Sequence, residues 1–250
     1  MDSFKPAYTR HVYAGFFLNS VLLQNMKRTL FLIPVGILML LLSEQVKAQA
    51  TYSQDLNGSP IKVSRYLDVK GSPFLFDSWL PALVQLTNGQ TYQLDIKYDL
   101  VADELLFKDK KGDSLNFVLP IREFKFTAPL EHIYRFKSGY PPSVANTGKN
   151  TLYEVLYEGK YTLLKKISKT VWEESTTYGT ATRTRNISSK NAYFIFDGSA
   201  MKPFKPQKKY LAPLFEEKSS ILDQFIKSNN LDLNKDEDLI KVFTLAAEGK

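Results

Sequence analysis

The stretch ALVQLTNGQTYQLDIKY, residues 82–98, contains a mainly apolar run and a run of alternating apolar and polar residues on either side of an Asn-Gly dipeptide. Asn88-Gly89 is the preferred pair for a type I′ turn, in which both central residues need a positive φ. In the second run every other residue is large and apolar, and these residues share one face of a strand: Tyr92, Leu94, Ile96 and Tyr98. The stretch therefore predicts a β-hairpin with one buried face.

The chain on both sides of this hairpin continues as short alternating runs separated by turn residues, which is typical of antiparallel sheets. Further strands are predicted at Ile61–Val69, Phe74–Phe76, Glu104–Phe107, Leu115–Val118, Ile121–Phe126, Glu131–Lys137, Thr151–Tyr157, Tyr161–Ile167, Thr170–Thr176 and Asn191–Phe196. The polar stretch Thr177–Lys190 is predicted to be a long, mobile connector between the last two. The pattern predicts a mainly β (α+β) fold, in which an antiparallel β-meander of about ten strands forms a curved sheet or partial barrel.

The C-terminal part changes to a helical period. Its apolar residues recur three and four positions apart: Leu211, Leu214, Phe215, Ile221, Leu222, Phe225, Ile226, Leu239, Ile240 and Phe243. Pro213 is expected to open or kink the first helix, and Asn234 with Glu237 forms a capping box for the last one. Helices with a single apolar stripe pack on a core, so residues 210–250 are predicted to pack on the sheet.

The N-terminal part contains the three regions of a secretory signal peptide within Met26–Ala50. Lys27 and Arg28 are positive, Thr29–Leu42 is apolar, and Ala48-Gln49-Ala50 is a small-residue cleavage site. We expect cleavage after Ala48 or Ala50 and export to the periplasm or cell envelope, with a mature chain that does not span the membrane. The alternative is an uncleaved anchor, because residues 12–23 form a second apolar run.

The remaining sequence is interpreted as one mature domain at residues 51–250. It divides into two β regions at 51–137 and 151–209, separated by a loop rich in Gly, Pro and Asn, and helices at 210–250. Residues 1–25 are interpreted as a non-native upstream extension, with Met26 as the natural start.

Three parts of the chain resemble uncharacterised secreted proteins of Bacteroidota. They are GSPFLFDSWLPALVQLTNGQTYQLDIKYDL (Gly71–Leu100), LYEVLYEGKYTLLKK (Leu152–Lys166) and the helical C-terminal tail. The resemblance covers most of the mature chain. It implies export and a single fold, and it implies no activity.

Composition argues against several kinds of catalytic and metal site. The chain has no cysteine, and of its two histidines only His132 follows the leader, so triads and His- or Cys-based zinc sites have no support. The acidic run Asp232–Asp238 imitates a calcium loop, but Glu237 occupies the position that requires glycine. Trp79 lies near Asp77, as aromatic and acidic residues do in sugar sites, but we expect Trp79 to pack in the core. We therefore predict no enzyme activity, no metal and no cofactor.

The charge is concentrated in one region. Residues 1–50 hold five of the 33 basic and two of the 26 acidic residues, so residues 51–250 keep a net charge of +4. Residues 160–209 alone carry eleven basic and three acidic residues. The basic patch predicted from this segment consists of Lys165, Lys166, Lys169, Arg183, Arg185 and Lys190. Such a patch attracts anions, although a solvated strand face that keeps the protein soluble explains the same residues.

These observations lead to three function hypotheses. The first is an exported, non-enzymatic envelope protein that binds an anionic glycan, a lipid headgroup or an acidic envelope protein, and not nucleic acid, because the chain is exported. The alternative is a periplasmic carrier of a lipid or another apolar ligand, held between sheet and helices. The third and least favoured is a hydrolase that uses two carboxylates converging in one cleft.

Overall fold

The computed structural model describes residues 56, 58–61, 66–128, 132–145, 147–175 and 183–248. The predicted signal peptide at 26–50 and the interpretation of residues 1–25 lie outside these residues, and both stay predictions. The division of residues 51–250 into two β regions and a helical region also stays a prediction.

The described strands form one mostly antiparallel sheet that does not close into a barrel. The strands are β1 (Gly58–Pro60), β2 (Val69–Lys70), β3 (Leu80–Leu86), β4 (Thr91–Asp99), β5 (Glu104–Lys108), β6 (Ser114–Phe117), β7 (Ile121–Thr127), β8 (Ile133–Lys137), β9 (Tyr153–Tyr157), β10 (Thr162–Ser175), β11 (Arg183–Phe196) and β12 (Met201–Phe204). Their order in the sheet is β1-β6-β5-β4-β3-β7-β8-β9-β10-β11-β12, with β2 pairing in parallel with β11. The mainly β prediction, with a curved sheet and C-terminal helices, is confirmed.

The hairpin that opens the meander forms as predicted, but its turn is of another type. Of Asn88 and Gly89, only Gly89 has a positive φ, of 88°. The Gly89 amide donates to the Leu86 carbonyl and the Leu86 amide donates to the Gln90 carbonyl, which encloses a three-residue loop. The Asn88 side chain accepts a hydrogen bond from the Gln90 amide. The type I′ prediction is therefore wrong, because glycine supplies the one left-handed residue of a longer loop.

A β-bulge changes which side of β7 is buried. Strict alternation would place Ile121 on the same face as Glu123. The pairing instead shifts between Gln85, opposite Glu123, and Leu86, opposite Ile121. The extra residue on β7 turns Ile121 to the buried side, together with Phe124.

Four predictions about the strands are corrected. In the segment predicted as Ile61–Val69, residues 62–65 lie outside the described part of the chain, residues 66–68 are not in a strand, and Val69 begins the short β2. Phe74–Phe76 contributes one bridge, from Phe74 to Asp99. The predicted break in Tyr161–Thr176 is absent, because β10 runs unbroken to Ser175. Most of the predicted connector Thr177–Lys190 is strand β11, so the described residues leave only 176–182 between the two strands. The polar composition of this stretch predicts a loop, but threonine favours strands, and every residue of β11 pairs with a residue of β10.

The C-terminal helices pack on β9 to β12, as predicted. They are α1 (Lys208–Leu211), a 3₁₀ helix (Glu216–Lys218), α2 (Ser219–Ser228) and α3 (Asp236–Glu248). Phe243 of α3 contacts Tyr157 and Phe204 of the sheet, with ring centroids 5.8 and 6.0 Å apart. The described residues include no helix that is long and apolar enough to cross a membrane.

Two details of these helices differ from expectation. Pro213 neither opens nor kinks a helix, because α1 has already ended at Leu211 and Pro213 lies in the following turn. The last helix begins at Asp236, and the Asn234 side chain hydrogen bonds to Asp232 rather than capping the helix. Asp238 instead accepts a hydrogen bond from the Asp232 amide.

Candidate functional site

Lys165 of the predicted basic patch is buried between the sheet and α3. Its ammonium forms an ion pair with Asp236 at the start of α3 and lies 3.3 Å from the Glu154 carboxylate, without the geometry of a hydrogen bond. Burial lowers the pKa of Lys165, but the two carboxylates outweigh this effect and hold the pKa above its ordinary value. Burial likewise raises the pKa of Glu154, which Lys165 partly offsets. Lys165 therefore joins the sheet to α3 and is not available to an external anion.

The ammonium groups of Lys166 and Lys169 also bind partners within the protein. The Lys166 ammonium pairs with Asp103 and lies 3.3 Å from the Tyr98 hydroxyl. The Lys169 ammonium donates to the carbonyls of Ser72 and Phe74, at 2.9 and 2.6 Å. Burial lowers the pKa of both lysines.

The other three residues of the patch lie on β11. Arg185 donates to the Leu67 carbonyl at 3.4 Å, Lys190 is exposed, and the side chain of Arg183 lies outside the described part of the chain. Lys165 and Lys166 are adjacent on one strand and so project to opposite faces. The structure thus does not bring the described members of the patch together on one surface.

The hydrolase hypothesis requires two carboxylates that face each other across a cleft. Glu154 and Asp236 converge on Lys165, but the Glu154 side chain is buried, and neither of the two clefts described below is lined by both residues. No group of three metal-ligating side chains occurs within the described residues. Neither observation supports carboxylate or metal chemistry at this cluster.

A cleft of about 680 Å³ lies on the outer face of β4, β5 and β6, and we call it the Trp79 cleft. Its lining residues are Pro60, Ile61, Tyr66, Phe74, Trp79, Lys97, Asp99, Leu106, Gly112, Asp113, Ser114 and Leu115. Leu80 pairs with Ile96, so Trp79, one residue earlier, lies beside Lys97 on the face opposite the core. Trp79 is half-buried. The expectation that Trp79 packs in the core is wrong, because its position in the register turns it outward.

Two lysines surround the indole of Trp79. The Lys97 ammonium lies 5.7 Å from the Trp79 ring centroid and 4.5 Å from that of Phe74, and the Lys108 ammonium lies 5.2 Å from Trp79. All three distances fall within the range of cation–π attraction. Neither ammonium has an ion-pair partner among the described residues. Both cations therefore remain free to bind an anion above an aromatic surface.

The acidic residues of the cleft have different roles. Asp99 accepts hydrogen bonds through both oxygens, from the Tyr66 hydroxyl at 2.6 Å and from the amides of Val101 and Ala102 at 2.9 and 3.0 Å. It is almost fully buried and shapes the cleft wall. Asp113 is exposed, and its carboxylate has no hydrogen-bond partner in the part of the chain that the structure describes. Only Asp113 of the two is free to contact a ligand.

A second groove, of about 580 Å³, lies between the β9–β10 turn and the helices. Aromatic residues from both sides line it, among them Tyr157, Tyr161, Phe215 and Phe243. Lys160, Glu216 and Glu217 add polar groups to the same lining. We call it the Tyr161 groove.

The sequence pattern indicated only part of these sites. It drew attention to Trp79 near an acidic residue but did not connect Trp79 with Lys97 and Lys108, which come from neighbouring strands. The outward position of Lys97 in the alternation of β4 was the one available signal.

Comparisons with models of known protein families, with curated proteins and with solved structures found no match to this chain. The resemblance to secreted Bacteroidota proteins therefore stays a prediction.

Proposed function

We propose that the protein is an exported, non-enzymatic protein that binds an anionic ligand, and that the Trp79 cleft is its binding site. The observation that carries the proposal is the pair of free ammonium groups of Lys97 and Lys108 beside the half-buried Trp79 ring. Export rests on the signal-peptide pattern alone. The cleft replaces the basic patch as the site, because three lysines of the patch already have partners within the protein.

The hydrogen bonds of Asp99 support binding over catalysis. Both of its oxygens are accepting, so this carboxylate is not placed to take or give a proton at a ligand. Asp113 is then the single unengaged acid in the lining of the cleft, and glycoside hydrolysis ordinarily requires two.

Tryptophan fluorescence tests the site directly, because the chain has only two tryptophans. In the Trp172→Phe variant Trp79 is the single reporter. We expect dextran sulfate to change its emission, and uncharged dextran to leave it unchanged. Loss of both cations in Lys97→Gln/Lys108→Gln should weaken the binding about tenfold or more, since a charge-assisted contact contributes about 1.5–3 kcal/mol.

The matched control is Lys125→Gln/Lys190→Gln, which removes two exposed lysines on β7 and β11. This pair should leave the affinity nearly unchanged. An equal loss of affinity in both pairs would mean that the polyanion responds to net charge and not to the cleft, and the proposal would fail. Export is tested by the mass of the protein from its own cell envelope, which should correspond to a chain starting at Gln49 or Thr51.

A second candidate function is the carriage of an apolar ligand, and the Tyr161 groove favours it. This groove lies between sheet and helices and is lined by tyrosine and phenylalanine, and its volume falls in the range of small-molecule sites. Native mass spectrometry of the envelope-derived protein should then show extra mass that is lost on denaturation. Ala247→Trp, at an exposed position in the lining, should fill the groove and abolish the extra mass. A protein that is always free of ligand removes this candidate.

A further inference from the structure

The Trp79 cleft combines three kinds of surface that one class of ligand would use together. Trp79, Phe74 and Tyr66 present aromatic rings, Lys97 presents a cation, and Asp113 presents a free carboxylate. Lys108 adds a second cation beside the Trp79 ring. Resting on the proposed function, we infer that the anionic ligand is an acidic saccharide, a sugar chain that carries carboxylates among its hydroxyl groups.

The aromatic side chains of the cleft suit the ring of a sugar. One face of a pyranose ring exposes mainly C–H groups, and an exposed aromatic side chain is a large apolar surface on which such a face can be buried. Trp79 is one of the largest apolar side chains, and it is half-buried and belongs to none of the core clusters of buried residues. Leu106, which pairs with Lys97 on the neighbouring strand, extends the apolar wall on the same face. A simple inorganic anion would leave this surface unused.

The charged side chains of the cleft suit the acidic group and the hydroxyl groups of the ligand. An ammonium binds a carboxylate by a charge-assisted hydrogen bond. A free carboxylate can only accept hydrogen bonds, so Asp113 is suited to the hydroxyl groups of a sugar. The same carboxylate repels a ligand whose whole surface is anionic, such as phosphate. Cations and an acceptor in one cleft therefore favour a ligand that contains both acid and hydroxyl groups.

Lys169 holds one of the aromatic rings in place. Its ammonium donates to the carbonyls of Ser72 and Phe74, which fixes the segment that carries the Phe74 ring over Lys97. Lys169 of the predicted patch is thus a positioning residue for the cleft.

The test is a set of titrations of the Trp172→Phe variant, in which Trp79 is the reporter. The probes are an oligogalacturonate, its methyl-esterified neutral form, inorganic phosphate, and vesicles of phosphatidylglycerol. We expect the oligogalacturonate to bind at least about tenfold more tightly than the neutral form, because esterification removes the charge-assisted contacts. Phosphate and the vesicles should not change the emission.

Two variants separate the parts of the site. Asp113→Asn should weaken oligogalacturonate binding relative to dextran sulfate binding, because both ligands are freed from the repulsive charge but only the sugar hydroxyl groups lose a charged hydrogen-bond acceptor. Trp79→Phe, read by calorimetry, should retain more affinity than Trp79→Ala. Trp79 is half-buried, so its replacement can also destabilise the fold. The unfolding midpoint of each variant shows whether a loss of affinity comes from a loss of folding.

The outcomes distinguish this inference from the proposed function. If dextran sulfate binds at Lys97 and Lys108 but oligogalacturonate does not, the inference is wrong and the proposed function stands. Equal affinity for the neutral and acidic sugars, or a stronger response to phosphate or vesicles, also overturns it. If no polyanion binds, both fail.

Discussion

The Tyr193 hydroxyl on β11 donates a hydrogen bond of 2.8 Å to Asp236 Oδ1 at the start of α3. The other oxygen of the same carboxylate pairs with Lys165 on the neighbouring strand. One aspartate therefore connects two strands of the sheet to the last helix. Burial, followed by the nearby Asp236, raises the pKa of Tyr193, so the hydroxyl keeps its proton at neutral pH.

Replacing Tyr193 by phenylalanine should lower the free energy of unfolding by about 1.5–3 kcal/mol, the range for a hydrogen bond to a charged group. The ring is kept, so the change isolates the hydroxyl. Urea unfolding measures the effect. Tyr210→Phe is the control, because Tyr210 is on the surface and its hydroxyl has no hydrogen bond among the described residues; a similar loss in both variants would contradict the role of Asp236.

Replacing Lys165 by methionine should be more costly, at about 3–5 kcal/mol, because it leaves the buried Glu154 without its cation. Methionine keeps most of the side-chain volume, which limits the packing change. Lys190→Met removes an exposed charge and should change stability by no more than about 0.5 kcal/mol. If Lys165→Met is as mild as Lys190→Met, the buried ion pair does not stabilise the fold.

The deficit of Lys165→Met should depend on pH in a defined direction. Burial already raises the pKa of Glu154, and loss of Lys165 raises it further. A carboxyl group whose pKa is higher in the folded state destabilises the fold when it is ionised, and this cost disappears below its unfolded-state pKa. The difference from the unmodified protein should therefore shrink as pH falls towards 4.5, the ordinary value for glutamate. A difference that grows on acidification would contradict this assignment.

The Gly89→Ala variant should destabilise the first hairpin by about 1 kcal/mol, because Gly89 has a φ of 88°, which costs a residue with a side chain. No atom lies within 4 Å of the position of an added Cβ, so the effect is one of backbone conformation alone. Gly148→Ala is the matched control, since Gly148 also has open space but no positive φ. Thermal unfolding of the two variants measures the difference.

Truncating Phe243 to alanine should cost about 3–5 kcal/mol, because its ring is fully buried between α3 and the sheet. Ile221→Ala is the control on α2, where the side chain is 57% exposed, and it should cost no more than about 0.5 kcal/mol. Chemical denaturation monitored by circular dichroism provides both values. Equal costs would mean that α3 does not pack on the sheet as described.

Local pattern was sufficient for most of the sheet and helices. Alternation identified β4 and its buried face, and three- and four-residue spacing identified the stripe that carries Phe243. These patterns are local because side-chain direction repeats every two residues in a strand and every 3.6 residues in a helix. The same reasoning failed where a neighbouring strand changed the outcome, as at Ile121, which the bulge opposite Leu86 turns inward.

The class of fold and the periods of its elements follow from the sequence, because they depend on residues near one another in the chain. The role of each charged side chain depends on the tertiary structure. Lys165 and Lys97 both occur in alternating runs. Lys165 is buried against Glu154 and Asp236, whereas Lys97 lies beside Trp79 without an ion-pair partner among the described residues. Ion pairing and desolvation depend on groups that are far apart in the chain. Lys165 and Asp236, for example, are separated by 71 residues, and a pattern of neighbouring residues cannot predict that they meet.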